Sequence, residues 1–112
     1  MEESYRIHAP EADVYSHILN TAGSHGCHLH ETVAGKGLPA VGEGRRIDVV
    51  KKYGSRPIAR VGLLPGPDGT DLLVSNEPHS EREGRDFDTE AFDEFRLSLV
   101  DFPAPWKAER LP

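Results

Sequence analysis

Apolar and polar positions alternate with period two in most of this chain, and with period near four in two places. The clearest stretch is Ile58 to Pro78, IARVGLLPGPDGTDLLVSNEP. Arg60 to Leu64 reads as one strand and Thr70 to Ser75 as its return, with Pro65-Gly66-Pro67-Asp68-Gly69 as the reversal. Glycine takes positive φ there without a steric clash, and proline does not continue a ladder. An isolated hairpin is marginal in water, so further strands and a covering layer are required. Tyr5 and Ile7 alternate with Arg6 and His8 in a first strand, Ser4 to His8.

Cys27 to Val33 is a further strand, with Cys27, Leu29, Glu31 and Val33 on one face and His28, His30 and Thr32 on the other. Arg45 to Tyr53 is another, its buried face left open by the pattern. Two segments follow the helical period instead. Val14, Ile18 and Ala22 recur at i, i+4, i+8, which predicts a helix of about three turns opening at Pro10 and ending by Gly23 and Gly26. Phe92, Phe95, Leu99 and Phe102 recur at i, i+3, i+7, i+10, which predicts a second helix over 89–102 with Asp88 as its N-cap. On that helix Asp93, Glu94, Arg96 and Asp101 are expected to face water. Gly35 to Gly44 reads as a loop, Gly54 to Pro57 as a turn, and His79 to Asp86 as a charged surface link. The order of strand, helix, strands, helix gives an α+β fold, a single domain over 1–112, with five to six antiparallel strands covered by the last helix.

Composition narrows the class. The chain has 112 residues, enough for one core, with 13 basic and 19 acidic side chains and a net charge of −6. Such an acidic surface repels phosphate backbones, so no nucleic-acid partner is expected. No window has the length of a membrane span or of a signal-peptide core, so the expected location is cytoplasmic with no membrane partner. Cys27 stands alone, which excludes an intrachain disulfide.

The opening YRIHAPEADVYSHIL resembles the first strand and helix of START-like proteins, the group that includes Bet v 1-like, polyketide cyclase/dehydrase and Aha1-type domains. The segments DGTDLLVSNEP and DTEAFDEFRLSL are similar to their closing strands and C-terminal helix. The resemblance runs along most of the chain. It implies a helix-grip fold, in short form, in which the sheet wraps around a long C-terminal helix and leaves an apolar cavity between them. The link between the first helix and the second strand is short, and the strand count is low for the group. A second copy of the chain would complete such a sheet.

Three functional readings follow. The first is binding of an apolar or amphipathic small molecule, lined by Phe92, Phe95, Leu99, Val61 and Leu63, with His28, His30 and Arg60 as polar anchors at the mouth. The second is a polyketide cyclase/dehydratase-like enzyme in which His30 or Asp48 moves a proton. The third is a homodimeric interaction module without catalysis. No cofactor is expected. His28 and His30 lie about 7 Å apart on one strand face, near enough to share a metal if Asp48 or His79 approached; solvent-facing histidines are the plainer reading. Arg60 is expected to pair with Asp48 or Glu77 across strands. There is no G-x-S-x-G elbow and no phosphate loop.

Overall fold

The computed structural model describes residues 1–32, 45–52, 57–76 and 88–112. The loop expected at Gly35 to Gly44, the residues Gly54 to Arg56 of the following turn, and the link from His79 to Asp86 lie outside the described residues, as do Glu77 and His79. The strands are β1 (Glu2–Ile7), β2 (Cys27–Thr32), β3 (Arg45–Lys51), β4 (Pro57–Gly66), β5 (Gly69–Ser75) and β6 (Ala108–Leu111). The helices are α1 (Glu11–Ser24) and α2 (Thr89–Leu99). All strand pairs are antiparallel, in the order β2-β3-β4-β5-β1-β6. The fold is therefore α+β, an open six-stranded sheet with both helices packed on one face.

That face follows from the strand period. Ile47 of β3 faces Val61 of β4, which faces Val74 of β5, while Leu63 faces Leu72. These five, with Ile7, Val14, Ile18, Ala22, Phe92, Phe95 and Leu99, are at most 1% exposed and form one core. At β3 the register shifts between Val49 and Val50, so that Val49 faces Ala59, Val50 faces Pro57 and Ile58 is the extra residue. A bulge of this kind breaks the alternation. Hence Ile58 and Ala59 of β4 both join the core although they are neighbours, while on β3 it is Ile47 and Val49 that face the core, which resolves the face that the sequence pattern left open.

The organising hairpin is tighter than its composition predicts. β4 continues through Pro65 and Gly66, and only Pro67 and Asp68 remain between it and β5. Gly69 has φ +147° because β1 passes close: a Cβ there would lie 2.1 Å from the Ile7 carbonyl oxygen. α1 begins one residue after Pro10, and Gly26, φ +67°, takes the left-handed conformation beyond its end. α2 starts where expected, with Asp88 Oδ1 accepting the Ala91 N–H at 3.2 Å. It stops at Leu99, three residues short of the expected end, and the tail returns as β6 on the free edge of β1. No helix among the described residues is long and apolar enough to cross a membrane.

Candidate functional site

α2 rests mainly on α1 and β4. It is seated by Phe92, Phe95 and Leu99, all fully buried, on a sheet surface that includes Val61 and Leu63. The structure thus brings together all five apolar residues singled out from the sequence. The three polar ones are elsewhere. His28 and His30 are exposed, and the register aligns His30 with Asp48, Asp48 with Arg60 and Arg60 with Ser75 in one row. Successive side chains of a strand point to opposite faces. That row therefore lies on the side of the sheet away from the helices, separated from the apolar seam by the sheet itself. Arg60 does pair with Asp48, Nε donating to Oδ1 at 3.0 Å.

The polar groups that border the seam come from positions the hydrophobic pattern passed over. His25, just after α1, stands edge-on to Phe95 with ring centroids 6.0 Å apart, and its Nε2 is 2.9 Å from Ser98 Oγ. His17 Nε2 lies 2.7 Å from the Leu99 carbonyl oxygen. A carbonyl only accepts, so Nε2 carries a proton and donates it to this bond. His17 also packs against Phe102 and Trp106, at 5.8 and 5.6 Å, and Phe102 against Tyr5 at 5.6 Å. The result is a half-buried aromatic cluster where α1, the end of α2, β1 and the returning tail meet.

Beside this cluster sits a buried carboxylate. Glu3 shares the helix-side face of β1 with Tyr5 and Ile7, and its side chain is 5% exposed. Tyr5 Oη donates to its Oε2 at 2.6 Å, Arg96 Nη1 donates to Oε1 at 3.3 Å, and Arg110 Nη2 approaches Oε1 at 3.7 Å. Burial first, and the hydrogen bond to Glu3 second, raise the Tyr5 phenol above the usual tyrosine value. Arg96 was expected to face water. Instead its side chain is only 16% exposed, because Glu3 draws it inward across α2's edge. Its Nε has no hydrogen-bond partner among the described residues. A surface depression of about 490 Å³ borders this region, lined by Glu2, Glu3, Ser4, Arg110, Leu111 and Pro112.

At the other side of α1, Arg45 donates Nε and Nη2 to the two oxygens of Glu31 at 2.5 and 2.8 Å, and Nη1 to Glu11 at 3.2 Å. Its guanidinium lies 4.3 Å from the centre of the Tyr15 ring. The bidentate bond holds the Glu31 carboxyl below the usual glutamate range and raises Arg45. Burial pushes the Cys27 thiol up, away from the depressed value a reactive thiolate needs.

A two-layer α+β domain with an apolar helix–sheet seam is the class these observations define. No known protein family, curated protein or solved structure matches the chain.

Proposed function

We propose that the domain is a short helix-grip protein that holds an apolar or amphipathic small molecule between α2 and the sheet. The observation that carries this reading is how α2 is attached. Its apolar contribution is concentrated in Phe92, Phe95 and Leu99 over β4, and polar bonds secure it at both ends: the Asp88 cap at one, and over the last turn Arg96 on Glu3, Ser98 on His25 and the Leu99 carbonyl on His17 at the other. A helix fastened by its ends and seated by three side chains can lift its middle and exchange ring contacts for ligand contacts. Buried apolar area of this kind is worth about 25 cal/mol per Å² whether ring or ligand covers it. Pockets for small molecules are mostly apolar, with a few polar groups that fix orientation. Phe92, Phe95, Leu99, Val61 and Leu63 supply the first. His25 and Ser98, at the rim beside Phe95, supply the second.

The test is binding of a fluorescent long-chain fatty acid to untagged protein, with native mass spectrometry of material as purified. Phe95→Trp is expected to weaken probe binding at least tenfold, more than it weakens folding as read by the urea midpoint. Equal loss of binding and stability would reduce Phe95 to core, and absence of binding by the parent protein would end the reading.

A further inference from the structure

Among the described residues β2 is an edge strand, and its hydrogen bonds show which backbone groups point outward. Lys52 donates its N–H to the Gly26 carbonyl at 3.0 Å, one step beyond the Cys27–Lys51 pair. In an antiparallel ladder hydrogen-bonded pairs alternate with non-bonded ones. His28 and His30 therefore direct their N–H and C=O groups at Val50 and Asp48 of β3, and Cys27, Leu29 and Glu31 direct theirs away from the sheet. Side chains alternate in step: the two histidines are exposed on the outer face, while Cys27, Leu29 and Glu31 lie half-buried on the helix side.

We propose that two copies of the chain join β2 to β2, Leu29 against the partner's Leu29, and that His28 and His30 of both copies together bind one divalent transition-metal ion. This register is the one that sets all three outward residues opposite each other, Cys27 on the partner's Glu31 and Leu29 on itself. His28 then faces the partner's His30 in a non-hydrogen-bonded pair, where Cα atoms approach to about 4.5 Å. Along each strand the two histidines are about 7 Å apart. Four imidazoles at the corners of such a patch can converge on one ion with metal–nitrogen bonds of about 2.0–2.1 Å, as zinc requires. Nickel and copper accept the same nitrogen donors.

Three observations support the pairing. Within one copy, no three His, Cys, Asp or Glu side chains among the described residues are placed to share a metal. Asp48, the carboxylate aligned with His30, is engaged by Arg60, and a second copy would supply the two further donors. Charge also matches across the edge. Lys51 aligns with the small Cys27, over which it can reach the partner's Glu31 as a second cation beside the Arg45 that holds it, and its present contact with Asp88 is a long 3.9 Å between two half-exposed groups. Apolar surface flanks the same edge: Leu19, 49% exposed, follows Tyr15 by one turn on the side of α1 that meets Arg45 and, through it, Glu31 on β2.

Sedimentation velocity and native mass spectrometry of untagged protein, with and without zinc chloride, test this directly. The expected result is a dimer carrying one zinc per two chains, reversed by a chelator and lost in both His28→Ala and His30→Ala. Both positions are exposed, so circular dichroism of the variants should match the parent. A metal-free monomer at about 100 μM protein with equimolar zinc would overturn the proposal. So would one zinc per monomer, or a dimer that survives both substitutions unchanged. These outcomes are independent of ligand binding under α2, because the two sites use opposite faces of the sheet.

Discussion

At the scale of single residues, two positions are held by features that burial alone does not reveal. Gly69 is required by the approach of β1, since any side chain would strike the Ile7 carbonyl. Gly69→Ala is therefore expected to destabilise the fold by about 2 kcal/mol or more, through strain at positive φ and a forced backbone shift, read as a lower urea midpoint. Arg96→Met is expected to cost roughly 3 kcal/mol, because the Glu3 carboxylate would stay buried with the neutral Tyr5 hydroxyl and the more distant Arg110 in place of its nearest cation. Neither residue is legible in the sequence. Gly69 looks like an ordinary turn glycine, and Arg96 falls among polar neighbours on α2 whose period says water. Glu31 gives a dependence on pH. Its folded-state carboxyl is held below its unfolded value by Arg45, so the pair's contribution is present above the unfolded value of about 4.3 and is lost as pH falls through the lower folded one. Glu31→Gln is expected to remove that part of the acid loss, giving a shallower decline in stability below about pH 4.5 when unfolding is followed across a pH series.

At the scale of elements, periodicity located the strands and helices because burial on one face is what imposes period two or four. Val14, Ile18 and Ala22 on α1, and Phe92, Phe95 and Leu99 on α2, occupy the core as their spacing predicts. The cap was legible for a similar reason: Asp88 stands where an orphan N–H needs an acceptor. Asp88→Ala should cost about 1 kcal/mol in chemical denaturation. Phe102 was misplaced because its spacing continues the stripe, yet the chain has already left the helix and the ring serves Tyr5, His17 and Trp106 instead. β6 was missed since Ala108-Glu109-Arg110-Leu111 has no alternation of its own. Its formation depends on the free edge that β1 offers. His17 and His25 could have been found only by asking which polar positions sit one step from an apolar stripe.

At the scale of the whole molecule, the apolar half of the candidate site was readable and the polar half was not. Strand alternation places Val61 and Leu63 on the covered face as soon as their neighbours are known. Which histidines share that face depends on strand order and on the bulge at Val49 and Val50, and neither is written in local pattern. The strand order has a further consequence for how the protein is made. β1 lies between β5 and β6, so residues 2–7 must wait for residues 70–75 and then 108–111 before both their edges are closed. Contacts so distant in sequence slow folding. β1 therefore leaves the ribosome well before either of its partners, and residues 108–111 are the ones that seal its second edge.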